Sequence, residues 1–357
     1  MPRTLTLRAG PRALALLRER GLRADDIDII PGASGGAKWL GIGGLDRYLF
    51  GTFLQTPRSR PLHAIGSSIG SWRMACLAQR DPLAALARGH EAYVRHQVYS
   101  KHPTPREVTE VLTRCLDHLL GPDGADEIVR HPTVRVHIIT AEARGAAASD
   151  TRLVLATAMA FAAAANIISR RTLALQMRRT IFHACGNASP FLHLRDLPTM
   201  QRALTADNAR AVLLASGSIP LLLEGVRIPD VPGVHWDGGV TDYHLDLDFG
   251  HGDGLVLFPH FYDHIVPGWF DKSLPWRRAG ARNVDRTLLI APSADFVARL
   301  PGGKLPDRRD FYTLTDSERF ARWERVNAMT SVLGEELHEL VVRGKIAEAT
   351  RCWTGTR

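Results

Sequence analysis

The sequence predicts an α/β protein: a three-layer sandwich with a mostly parallel central sheet flanked by helices. Three observations carry this. Short runs of aliphatic and β-branched residues alternate with segments of helical length from residue 11 to residue 344. Glycine-rich stretches follow two of these runs, PGASGGAKW (31–39) and IGSSIGSW (65–72), where strand-to-helix connections belong. No repeat, low-complexity linker or break in composition divides the 357 residues, so one domain over 1–357 is expected.

In chain order, residues 11–20 read as a helix and ADDIDIIP (24–31) as a short buried strand. The first glycine loop leads to a helix over about 36–50. PLHAIG (61–66) is a second strand, and SWRMACLAQR (71–80) opens another helix. Residues 83–120 read as largely helical. TVRVHIITAEA (133–143) alternates β-branched residues as a strand does. LVLATAMAFAAAANII (153–168) is too short and alanine-rich to span a bilayer, and Asn166 interrupts it. A buried helix is expected there, with an interfacial helix as the alternative. Strands follow at 191–196, 234–239, 254–258 and 286–292, with a helix near 207–215. One long amphipathic helix over roughly 316–344 closes the fold.

Composition narrows the class. Apolar residues make up 45% and charged residues 23%, an ordinary globular balance. Cys76, Cys115, Cys185 and Cys352 are scattered with no CxxC pair and no zinc spacing. That argues against a disulfide framework or a structural metal, and implies no cofactor. Arg3, Arg8 and Arg12 break the N-terminal apolar run, so no signal-peptide core is expected. The net charge of +8 is spread along the chain without a nucleic-acid motif. Nucleic acid is therefore not an expected partner; a cytoplasmic protein with peripheral contact to an anionic membrane is. Oligomeric state has no signature.

The two glycine loops carry the chemistry. Both contain Gly-x-Ser-x-Gly, centred on Ser34 and Ser68. A nucleophile elbow needs a strand, a sharp turn bearing the serine, and a helix whose N-terminus faces the site. Residues 61–80 meet that description, with Gly66 and Gly70 flanking Ser68. The plain alternative is a tight turn in which Ser68 caps a helix. The first loop nearly fits a phosphate-binding GxxxxGK[ST], but Ala37 stands where glycine is needed and Trp39 where a hydroxyl must reach magnesium. What remains is a loop of small residues whose backbone N–H groups can face an anion. In acyl transfer that anion is the tetrahedral oxyanion. Far downstream, VHWDGGVTDYH (234–244) places Asp237 at the end of an apolar strand, before Gly238 and Gly239.

In this order the three pieces resemble the patatin-like phospholipases: Ser34-Gly35-Gly36-Ala37-Lys38, then Gly66-Ser67-Ser68-Ile69-Gly70, then Asp237-Gly238-Gly239. AVLLASGSIPLLLEGV (211–226) looks like that family's Ala-Ser-x-x-x-Pro stretch, so the likeness covers about residues 24–260. The loop departs from the family's DGGGxRG, with Lys38 for the arginine, Ser34 for the first glycine and Trp39 for the last. The resemblance implies a Ser68–Asp237 dyad and an oxyanion hole from Gly35, Gly36 and Ala37, with Lys38 as an anion-binding side chain. It implies hydrolysis of lipid acyl esters, of phospholipase A or lysophospholipase type, with Ser34 a bystander.

Other readings stand beside it. A Ser–His–Asp esterase would draw on His235, His244, His260 or His264, although such folds place several strands before the elbow. An acyltransferase, or a lipid- or nucleotide-binding protein using residues 32–38 as an anion cradle, is a further alternative. The segment 257–278 concentrates Phe258, Phe261, Tyr262, Trp269, Phe270 and Trp276 before Arg277 and Arg278. It suits either a membrane interface or a loop folded over the core or the site.

Overall fold

The computed structural model describes residues 3–250 and 252–355. Its apolar runs pair into one ten-stranded mixed sheet: β1 Leu5–Ala9, β2 Ile27–Gly32, β3 Leu62–Ser67, β4 Val134–Ala143 and β5 Met177–His183 come first. β6 Thr199–Ala203, β7 His235–Asp237, β8 Leu255–Pro259, β9 Thr287–Pro292 and β10 Arg351–Cys352 follow. The spatial order is β10-β1-β9-β8-β2-β3-β4-β5-β6, with β7 added beside β4. From β9 through β4 all neighbours are parallel; β1–β9, β4–β5 and β4–β7 are antiparallel. The central strands β8 and β9 are buried at every residue, as parallel strands covered on both faces must be.

Helices flank this sheet. They include α1 Pro11–Arg20, α2 Gly43–Gly51, α3 Ile69–Leu77, α4 Pro82–Glu91 and α5 Pro105–Leu120. α6 Gly124–Arg130, α7 Arg152–Ile168 and α8 Ala206–Gly217 follow. Local chemistry sets their ends: Asp81, Thr104 and Thr205 each accept a hydrogen bond from the third residue beyond them, and proline opens α1, α4 and α5.

The register of β4 builds the site. β5 holds one flank of β4 throughout, over His137–Ala143. On the other flank β3 pairs up to Ser67 opposite Ile139, and β7 takes over with Asp237 opposite Thr140. The residue that leaves β3, Ser68, is thereby delivered beside the last residue of β7, Asp237.

Several elements differ from the sequence reading. Residues 24–26 and 36–42 are 3₁₀ turns, so β2 starts at Ile27 and α2 at Gly43. The run 191–196 is turn, and the strand falls at 199–203 instead; β1, β5 and β10 carried no sequence expectation. The long C-terminal helix is two, Asp316–Met329 and Ser331–Val342, separated at Thr330. The Thr330 hydroxyl donates to the Asn327 carbonyl and accepts from the Gly44 N–H, tying that point to α2.

The alanine-rich helix α7 is not buried. Leu155, Ala158, Met159, Ala162 and Asn166 form one inward stripe at helical spacing. Leu153, Val154, Phe161, Ile167 and Ile168 are exposed, Leu153 by 76% and Ile168 by 86%. A uniformly apolar sequence hides which face is turned inward. In 257–278 the outcome is mixed: Phe258 and Phe261 are core, whereas Trp276 is 60% exposed. No helix among the described residues is long and apolar enough to cross a membrane.

Candidate active site

The second glycine loop forms a true elbow. Ser68 sits at φ 54°, ψ −135°, a region that side-chain-bearing residues avoid. The surroundings hold it there. Its N–H donates to the Ser216 hydroxyl (3.0 Å), which donates to the Ile139 carbonyl; its own carbonyl accepts from the Ser71 hydroxyl (2.6 Å). α3 begins at Ile69, so the positive end of its dipole lies against the serine.

Close approach explains the flanking glycines. A Cβ on Gly70 would meet the Gly32 carbonyl oxygen at 1.8 Å, and one on Gly66 the Ser71 backbone at 2.5 Å. The two glycine loops therefore touch backbone to backbone. The Asp-Gly-Gly turn interlocks with both: a Cβ on Gly238 would crowd Ser67, and one on Gly239 would reach the Ser34 hydroxyl at 2.5 Å.

At the centre, Ser68 Oγ donates to Asp237 Oδ2 at 2.6 Å, across 169 residues of sequence. Asp237 Oδ1 accepts the Gly239 N–H at 2.7 Å. Both side chains are nearly buried. Burial pushes the Asp237 carboxyl up to about 6, against the opposing pull of the Ser68 and Gly239 hydrogen bonds and of the Lys272 and Arg308 charges. That makes it a stronger proton acceptor than an ordinary aspartate.

Ser34 is placed differently. Its hydroxyl lies 2.7 Å from Ser67 Oγ, and Ser67 donates its one proton to the Asp242 carbonyl. Ser34 must then be the donor to Ser67, so its proton has no base to go to. Gly35, Gly36, Ala37 and Lys38 do border the same cavity as Ser68 and Asp237. Gly36 has φ 56° and opens a 3₁₀ helix, whose first N–H groups have no intrahelical acceptor.

The cavity, about 940 Å³, is lined by both apolar and charged side chains. Trp72, Leu112, Ile219, Leu222 and Leu223 are among the apolar ones; Lys38, Lys272 and Arg308 are cationic, with Asp307 and Asp316 also in the lining. Desolvation, together with the Lys38 and Arg308 charges, pushes the Lys272 ammonium down to about 7. Burial likewise lowers Lys38. Tyr262 and Trp269, from the aromatic segment, wall the cavity.

No histidine borders this cavity among the described residues. His235 Nδ1 faces the Thr140 hydroxyl, His244 Nδ1 accepts the Val266 N–H, His260 Nδ1 accepts the Tyr262 N–H, and His264 Nδ1 faces Asp263. In all four the Nδ1 is engaged away from Ser68.

Some supporting residues carried no sequence expectation. Ser67 and Ser216 hold the two loops, and buried Arg179 pairs with both Asp242 and Asp196 behind the aspartate turn. The fully buried pair Arg73–Asp46 (2.6 Å) ties α3 to α2. Ser216 lies within the Ala-Ser-x-x-x-Pro stretch, the one sequence signal that pointed near it. No family model, curated protein or solved structure matches this chain.

Proposed function

We propose that the protein is a serine acyl hydrolase acting on lipid acyl esters, with Ser68 as nucleophile and Asp237 as its base. The observation that carries this is the 2.6 Å hydrogen bond from a strained elbow serine to a buried carboxylate, opening on a cavity that no described histidine borders. The motif order shared with the patatin-like phospholipases supports it.

Asp237 takes the Ser68 proton as Oγ bonds to the ester carbonyl carbon. The carbonyl electron pair moves to oxygen, and the N–H groups of Gly35, Gly36 and Ala37 are the proposed donors to that oxyanion. Collapse breaks the ester C–O bond; the leaving alkoxide takes the proton from Asp237, and an acyl ester of Ser68 remains. Water then attacks that ester, giving its proton to Asp237, which returns it to Ser68 as the acid departs. The apolar lining residues suit an acyl chain, and Lys38, Lys272 and Arg308 suit an anionic headgroup.

Contact with an anionic membrane is part of the proposal. The exposed apolar residues of α7 lie between exposed Arg152 and Arg171. Asn166 of α7 donates to Asp271, the neighbour of cavity-lining Lys272, so the helix packs close to the cavity wall.

The test is labelling with a fluorophosphonate, followed by peptide mapping and a panel of phospholipid, lysophospholipid and neutral esters. Label on Ser68 and turnover of at least one lipid ester are expected. A protein that neither labels nor hydrolyses any ester would end the reading.

A further inference from the structure

We propose that His63, His137 and Cys185 form a transition-metal site suited to zinc, at the end of the sheet opposite the Ser68 elbow. It is independent of the hydrolase reading. His63 is the second residue of β3, His137 lies in the first half of β4, and Cys185 follows β5 by two residues. One potential ligand atom from each lies within 4.8 Å of those of the other two. The site is about 16 Å from Ser68, from five residues of extended strand.

The hydrogen bonding prepares these groups as ligands. His137 Nδ1 lies 3.0 Å from the Arg135 carbonyl, which can only accept, so Nδ1 carries the ring proton. Nε2 is then the bare nitrogen, and it faces Cys185 Sγ at 3.4 Å. A carbonyl that fixes the tautomer of a ligand histidine is the usual outer-shell arrangement at zinc. Nδ1 of His63 is buried with no hydrogen-bond partner. Next to them, His183 is only 5% exposed and its ring lies 5.2 Å from that of His137, with the Gln201 side chain beside it. An unpaired polar atom in a protein interior is costly, and a metal ion would satisfy the one on His63.

Two imidazoles and a thiolate select zinc over magnesium or calcium, and leave a fourth tetrahedral position for water. His63 also lines a separate cavity of about 370 Å³ with Pro61, Pro190 and His193, which gives an ion and water a way in. On binding, the Cys185 S–H proton is released to solvent and the sulfur lone pair bonds the metal; nothing is oxidised. The ion would staple β3, the strand that carries the elbow, to β4 and to the turn after β5.

The experiment uses the full chain, stripped with a chelator and titrated with Zn²⁺ or Co²⁺. One equivalent of zinc per chain is expected, with a raised melting temperature. Cobalt should give a thiolate-to-metal charge-transfer band and intense tetrahedral d–d bands. Cys185→Ser should abolish the charge-transfer band, and Cys185→Ser and His63→Gln should each weaken binding by about tenfold or more. Neither residue is fully buried, and circular dichroism checks their folding. The wild-type cobalt spectrum tests sulfur ligation without any variant. No stoichiometric binding, a cobalt spectrum without the sulfur band, or unchanged affinity in both variants would each overturn the site and leave a cluster of packed rings.

Discussion

The loops at residues 32–38 and 66–70 share a Gly-x-Ser-x-Gly pattern and stand side by side, with Gly32 of β2 paired to Gly66 of β3. Their serines nonetheless have opposite fates. Ser34 is tied through Ser67 to a backbone carbonyl, whereas Ser68 is forced to positive φ and aimed at a carboxylate. What separates them is the element that follows. A 3₁₀ turn follows the first loop, whose Gly35, Gly36 and Ala37 border the cavity, and an α-helix starts directly after Ser68. One motif supplies the proposed oxyanion donors and the other the proposed nucleophile.

The sharpest way to break this contrast is to remove each hydroxyl in turn. Ser68→Ala should lose fluorophosphonate labelling and about a thousandfold or more of turnover. Ser34→Ala should keep its label and most of its activity. Reversed outcomes would exchange the roles of the two loops.

Asp237→Asn comes next, with turnover on a soluble short-chain ester reduced by about a hundredfold or more. His235, His244, His260 and His264, changed singly to Gln, should cost far less; a folded histidine variant as inactive as Asp237→Asn would restore a triad. In the wild type, kcat/KM should rise with pH through about 6 as Asp237 ionises. Stability should move the other way. The carboxyl titrates near 6 when folded and near its ordinary 3.8 when unfolded, so the folded chain holds the extra proton between those values. Stability from this group is thus lost as pH rises from about 4 to 6. Asp237→Asn should therefore match or exceed the wild type at pH 8, by on the order of 1–3 kcal/mol, with the gain shrinking toward pH 4. Urea unfolding at the two pH values measures it, and a variant equally destabilised at both would contradict the burial argument.

Gly70→Ala probes the contact between the loops. Its methyl would sit 1.8 Å from the Gly32 oxygen, so about 2 kcal/mol of stability and a large part of turnover should be lost. Unchanged melting and activity would mean that the loops do not depend on each other.

The smallest effect expected is at the membrane. Binding to anionic vesicles should weaken as salt rises, and Phe161→Ser or Ile168→Ser should weaken it several-fold with soluble-ester turnover unchanged. Equal binding to neutral and anionic vesicles at every salt concentration would dismiss the electrostatic part.

Local chemistry made much of the fold legible. Strands such as 133–143, the elbow glycines and the Asp-Gly-Gly turn depend on residues within a few positions of one another, where steric rules act directly. Faces were less legible. The inward stripe of α7 is indistinguishable from its exposed side when nearly every residue is apolar, and the break at Thr330 arises from a hydrogen bond to Gly44.

The sequence by itself determined the α/β class, the order of the three motifs and the candidate pair Ser68 and Asp237. Only the tertiary structure decided that these two touch, that Ser34 is bound to Ser67, and that no described histidine enters the cavity. It also decided that burial raises the aspartate, and that His63, His137 and Cys185 converge. The physical reason is the same throughout. Each of these facts rests on contacts between distant residues, set by the register of β4 against β3, β5 and β7, and strand register is fixed by packing rather than by any local run of residues.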